Sequence, residues 1–260
     1  MVKKVVFFIL ISVVLSSTYI SPVDLSSSVD AWTLKYDELL KKHVSKGKLK
    51  NTDLNLVDYE GIRNDPLLNE LESAIYKLPS VENESIAKQL AFWINTYNFL
   101  TIVKIVKNPG LTSIKKLNTF TKTVWQQDAG IINGKNITLD EIEHEIIRKQ
   151  FKESRIHFAV NCASIGCPDL LNGAYTADKL DKQLDEALIS FLKNEEKGMK
   201  IDHNKKVLYL SKIFKWYEID FGKDAKKWLY EKGFIDEKVK NYSLKYLDYD
   251  WDLNSMPGRN

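Results

Sequence analysis

The sequence predicts a helix-rich α+β single domain, and three observations carry that expectation. A long helical pattern over about residues 84–107 is apolar on every face in its second half, as a central buried helix must be. Shorter amphipathic helical patterns flank it. Brief β-like runs are scattered between helices instead of alternating regularly with them, which points to a small, mostly antiparallel sheet. With 260 residues, 44% of them hydrophobic and 28% charged, the chain has enough apolar mass for one domain with a real core.

Taken in order, residues 1–20 read as a secretory signal peptide. Lys3 and Lys4 precede an apolar run over 5–15, and Ser16, Ser17 and Thr18 follow it. The run is short against the roughly 20 apolar residues of a membrane span, so an uncleaved signal anchor is the only membrane association expected. No cysteine stands near the end of the signal, which excludes lipid attachment there. The expected location is therefore secreted or periplasmic. Residues 21–30 read as a polar linker, 31–254 as the domain and 255–260 as a tail.

Within the domain, residues 32–44 have helical spacing (Trp32, Tyr36, Leu39, Leu40, Val44), and residues 54–59 look extended. Asp65 followed by Pro66 is a cap with proline at the first helical position, opening a helix to about Lys77. The central helix stops at Asn108, Pro109 and Gly110, and it carries Asn95, Asn98 and Thr101 among its apolar residues. Buried amides need partners, so these side chains should be tied to something. Asn133-Gly134 centres a hairpin over 124–137. Thr138 and Glu141 form a capping box for a helix to about Gln150. Residues 156–161 read as a strand, 176–193 as an amphipathic helix, 207–210 as a strand, 225–231 as a helix and 244–250 as a final strand.

Composition removes several function classes. The formal net charge is only +3, two units of which are Lys3 and Lys4, and no basic patch is interleaved with aromatics, so nucleic acid is not an expected partner. There is no glycine-rich phosphate loop and no G-x-S-x-G. His144, His157, Cys162 and Cys167 offer nitrogen and sulfur donors, but their spacings match no zinc motif. No metal or cofactor is expected, and the oligomeric state is left open.

The chemistry concentrates on the only two cysteines, Cys162 and Cys167, which flank a turn of Ala163, Ser164, Ile165 and Gly166. Three readings compete: a Cys162 nucleophile with backbone amides of the turn as oxyanion donors, a Cys162–Cys167 disulfide permitted by export, and inert buried thiols. On a regular strand, His157 would face away from Cys162. On a wheel of 100° per residue, Glu143 falls within the apolar stripe of Leu139, Ile142, Ile146 and Ile147, while His144 lies at its border and Arg148 at its back. A carboxylate on a core face is costly unless paired or protonated, so Glu143 either joins an internal ion pair or orients a histidine toward Cys162. Asn95 is a second candidate for the orienting role. Trp93, Trp216 and Trp251 read as core residues.

Seven short segments look familiar together: LVDY at 56–59, FWINTYN at 92–98, IEH at 142–144 with Arg148, RIH at 155–157, CAS at 162–164 with Cys167 and Pro168, LSKIFKWY at 210–217 with Asp220 and Phe221, and YDWDLN at 249–254. In this order they resemble the family catalogued as domain of unknown function 547, over about residues 32–254. Its bacterial members often look exported. The resemblance brings no agreed activity with it; papain- or transglutaminase-like folds are an analogy only. The expected function is a cysteine-centred hydrolase or acyl transferase on a peptide or amide-like substrate, with Cys162 attacking, His144 or His157 as base, and Glu143 or Asn95 orienting it. The alternative is a non-enzymatic exported interaction module with a structural Cys162–Cys167 disulfide.

Overall fold

A computed structural model describes residues 24–259; the segment expected to be a signal peptide and the start of the expected linker lie outside them. The rest of the linker is already part of the domain. Ser28 caps helix α1 (Val29–His43) by accepting from the Ala31 N–H, and Leu25 and Val29 are buried. The chain passes straight from α1 into β1 (Val44–Leu49), a strand the helical pattern concealed, which pairs antiparallel with β2 (Thr52–Val57). The extended run expected over 54–59 is β2 as far as Val57, and helix α2 (Tyr59–Asn64) begins at its last residue. Helix α3 (Pro66–Ile75) starts as read, with the Asp65 carboxylate accepting from Leu67 N–H at 3.0 Å.

Helix α4 (Ile86–Val106) is the central helix, capped by Ser85 and buried on nearly all sides. Its two asparagines act as grips on neighbouring backbone. Asn95 donates to the Tyr175 carbonyl at 2.8 Å and accepts from the Tyr175 N–H at 2.9 Å. Asn98 donates to the Ala159 carbonyl at 3.0 Å and accepts from the Asn161 N–H at 2.8 Å. Each amide does for a loop what a strand partner would do, and so satisfies the buried polar groups on both sides. The second grip fixes the segment leading into Cys162.

Strands β3 (Asp128–Ile132) and β4 (Lys135–Thr138) form the expected hairpin, with Asn133 at φ 51° and Gly134 at φ 73°, the pair of positive values a two-residue turn requires. The capping box is present: Glu141 N–H donates to Thr138 Oγ1 at 3.0 Å, and Thr138 N–H donates to the Glu141 carboxylate at 2.8 Å. What it opens is a π-helix over Glu141–Phe151. Its i→i+5 pattern puts Ile142 and Ile147 on one face, both fully buried. It also aligns Glu143 with Arg148, which corrects the 100° wheel.

Residues 156–161 are not a strand. Ser154–Phe158 form a 3₁₀ turn and the chain then runs irregularly to Cys162, so the parity argument separating His157 from Cys162 does not apply. After α5 (Leu180–Lys193), strands β5 (Met199–Asp202), β6 (Val207–Leu210) and β7 (Ser243–Tyr246) form a sheet in which β6 is antiparallel to β5 and parallel to β7. Helices α6 (Ile213–Trp216), α7 (Ala225–Glu231) and α8 (Glu237–Lys240) lie between β6 and β7. The β structure of this helix-rich α+β domain is thus three small separate sheets.

Apolar side chains form two main cores. One surrounds α1, α3 and α4 and includes Ile156, Ala159 and Val160; the other joins α5 to the C-terminal sheet and includes Phe158, Phe214 and Phe221. The Ser154–Phe158 turn stitches them together, since Ile156 enters the first core and Phe158 the second. The C-terminal residues are not a loose tail: Met256 N–H donates to the Val57 carbonyl at 2.9 Å and Arg259 pairs with Asp58 at 3.1 Å.

Candidate active site

A cavity of about 330 Å³ opens where the two cores meet, lined by Tyr97, Glu143, His157, Cys162, Trp216, Tyr217, Tyr249 and Trp251 among others. Both histidines proposed from sequence and both cysteines reach it.

The Cys162 loop is strongly constrained. Ala163 sits at φ 62°, unusual for a residue with a Cβ, and its N–H is held by the Asn161 side chain at 2.8 Å. The other end of that amide donates to the Pro168 carbonyl at 2.6 Å. The buried Lys197 ammonium donates to the Cys167 carbonyl at 2.8 Å and to Asp169 at 2.5 Å. From the C-terminal segment, the Asp250 and Asp252 carbonyls accept from Gly166 and Ile165 N–H at 2.9 and 2.8 Å. These bonds consume the turn amides expected to serve as oxyanion donors, apart from that of Ser164.

Both thiols are free. Cys162 is half-buried on the cavity wall, whereas Cys167 is buried behind it and its sulfur receives the Cys162 N–H at 2.9 Å. The Cys162 sulfur lies 3.1 Å from Ser164 Oγ and 3.2 Å from the Tyr249 hydroxyl. Burial alone would raise its pKa, but hydrogen bonds from the Cys167 thiol, Ser164 hydroxyl, Tyr249 hydroxyl and Ser164 N–H outweigh burial and bring it down to about 7. Burial and the neighbouring Cys162 charge push Cys167 the other way, so Cys167 holds its proton and donates. Tyr249 also keeps its proton, mainly through burial and then through the charge of the Cys162 sulfur.

No histidine is hydrogen-bonded to the Cys162 sulfur among the described residues. His157 instead places Nε2 2.6 Å from Asp220. That carboxylate also accepts from Arg148 Nε at 2.6 Å and Nη2 at 3.1 Å, and the bond from His157, assisted by Arg148, holds it well below the usual carboxylate range despite partial burial. A carboxylate at this distance requires the proton on Nε2, which leaves Nδ1 with a lone pair in the neutral ring. That Nδ1 is buried and has no partner. The ring is fixed by stacking on Tyr217 at 4.0 Å.

His144 accepts from Arg148 Nη1 at 2.7 Å through Nδ1 and turns Nε2 toward Asp140 at 3.6 Å. Glu143 is only 5% exposed and accepts from the Tyr217 hydroxyl. Among the described residues, no hydrogen bond or ion pair joins it to a histidine. Asn95, spent on Tyr175, is a structural tie and not an orienting group. Asp220, Tyr217, Tyr249 and Ser164 all fall in the segments that carried the family resemblance, yet none received a role from sequence, because nothing in their spacing links them to Cys162. Trp216, at 46% exposure, and Trp251 line the cavity mouth rather than the core. Among the described residues, no group of three or more histidine, cysteine, aspartate or glutamate side chains is placed to share a metal ion.

Residues 81–192 match the family model described as "Protein of unknown function, DUF547". The match runs from the approach to α4 through α5 and so includes Glu143, His144, Arg148, His157, Cys162 and Cys167. Tyr217, Asp220, Tyr249 and Trp251 lie beyond its end, so the cavity is completed by residues outside the matched segment. No curated protein and no solved structure matches the chain.

Proposed function

We propose that the cavity is a thiol active site for hydrolysis or acyl transfer at an amide or peptide-like carbonyl. The observation that carries this reading is the donor set around the Cys162 sulfur, which favours a thiolate near neutrality without a histidine partner. Cys162 attacks the carbonyl carbon, and the Ser164 and Tyr249 hydroxyls, already at the sulfur, are placed to serve the oxyanion as charge shifts from sulfur to oxygen. The C–N bond breaks and the leaving amine takes a proton from solvent. His157 then works on the second half of the reaction: its free Nδ1 takes a proton from water or an acceptor amine, which attacks the thioester and releases the Cys162 thiolate, and the imidazolium returns that proton to solvent. Asp220 fixes the tautomer this requires, and Arg148 holds Asp220.

The rival reading has its own observation. Cys162 and Cys167 are in hydrogen-bond contact, and the export suggested by residues 1–20 would place them where an oxidant can join them. A bonded pair leaves an exported binding module with no nucleophile. Free-thiol titration with mass mapping of protein exported by its native host separates the two. One free, rapidly alkylated Cys162 at neutral pH supports the active-site reading; a Cys162–Cys167 bond in every molecule overturns it.

A further inference from the structure

The reaction above leaves one buried acidic side chain of the cavity unused. Glu143 accepts from Tyr217 but forms no ion pair among the described residues. Arg148 extends its field to Glu143, yet its bonds go elsewhere: Nε and Nη2 to Asp220, and Nη1 to His144. A carboxylate taken out of water without a bonded cation is costly, and the cost is recovered if a ligand supplies the cation.

The surrounding walls suit that ligand. Five aromatic rings face the same cavity: Tyr97, Trp216, Tyr217, Tyr249 and Trp251. The faces of such rings attract cations, and the protein already uses two of them this way, with Lys115 Nζ 4.7 Å from the Trp251 ring and Arg148 Cζ 5.1 Å from the Tyr217 ring. Asp140 adds a second carboxylate to the lining. We propose that the cavity selects substrates carrying a primary ammonium group, with Glu143 as its counter-ion and Trp216 as the ring that covers it. This substrate class rests on the thiol-site reading for its chemistry, but its binding does not depend on Cys162.

The test is direct binding to the full chain. Pocket tryptophan fluorescence and calorimetry are followed with Nα-acetyl-lysine methylamide, its neutral counterpart Nα-acetyl-norleucine methylamide and the guanidinium analogue Nα-acetyl-arginine methylamide. The lysine probe is expected to bind at least about tenfold tighter than the norleucine probe, a gap of about 1.4 kcal/mol. Glu143→Gln, which keeps an acceptor for Tyr217, should abolish the preference. Trp216→Ala, at an exposed position, should weaken the lysine probe selectively, and Cys162→Ala should still prefer the lysine probe over the norleucine probe. Equal binding of the lysine and norleucine probes, no binding of the lysine probe up to millimolar concentration, or stronger binding of the arginine probe overturns the proposal. An inert Cys162 in a protein that still prefers the lysine probe would count against the thiol reading alone.

Discussion

Removing the Tyr249 hydroxyl isolates the cause assigned to the reactive thiol. Tyr249→Phe keeps the ring, and with it the contacts to Trp216 at 4.8 Å and Trp251 at 4.5 Å, while deleting the donor 3.2 Å from the Cys162 sulfur. A hydrogen bond to a charged group is worth about 1.5–3 kcal/mol, or roughly 1–2 pKa units. Because several donors share this charge, the lower end applies, and the midpoint should move from about 7 by about one unit upward. The thiolate fraction at pH 7 then falls from about a half to about a tenth, and the alkylation rate falls about fivefold. The assay is the pH profile of iodoacetamide labelling, mapped to the Cys162 peptide by mass spectrometry. Labelling should rise with pH through each midpoint. Ser164→Ala should shift the profile in the same direction. An unchanged midpoint in both variants would refute the donor-set account.

Three further outcomes follow from the geometry. A Cβ at Gly166 would stand 2.9 Å from the Asp250 backbone nitrogen, so Gly166→Ala should push away the segment carrying Tyr249 and slow Cys162 labelling more than it lowers the thermal midpoint. Asn98→Ala strips partners from the buried Ala159 carbonyl and Asn161 N–H and should cost at least about 2 kcal/mol in urea unfolding. Asp220 has a lowered folded-state pKa, so its stabilisation is complete above the ordinary carboxylate value of about 3.9 and fades as pH falls below it. Asp220→Asn should therefore lose about 1–3 kcal/mol at neutral pH, discounted for partial exposure, and show a shallower loss of stability in acid.

Local signals were readable where one residue dictates one geometry. Asp65 with Pro66, Asn133 with Gly134, and Thr138 with Glu141 each mark an element boundary that the structure keeps. The need of Asn95 and Asn98 for partners was also legible, because buried amides must bond; their partners, Tyr175 and Asn161, were not, because those contacts span 80 and 63 positions. The site was half legible. Cys162, His157 and Glu143 do line one cavity, but the period assumed for residues 141–151 was that of an α-helix. The π-helix brings Arg148 round to Asp220, and hence to His157. The strand expected at 156–161 yielded to a turn because its alternate side chains serve two different cores. Tyr249 and Asp220 carry no pattern tying them to the thiol; the return of the C-terminal segment against Gly166 brings Tyr249 to it, and Asp220 joins the site through His157.

The division of labour between an independently ionised thiol and a separate base is tested most directly by trapping. The protein and its His157→Gln variant, whose amide can still donate to Asp220, are reacted with p-nitrophenyl acetate and digested for mass mapping. The account predicts an acetyl group on Cys162 in both, formed at similar rates, that persists in the variant and turns over in the parent protein. Acetylation at another residue, or equal lifetimes of the Cys162 adduct in the two proteins, would contradict it.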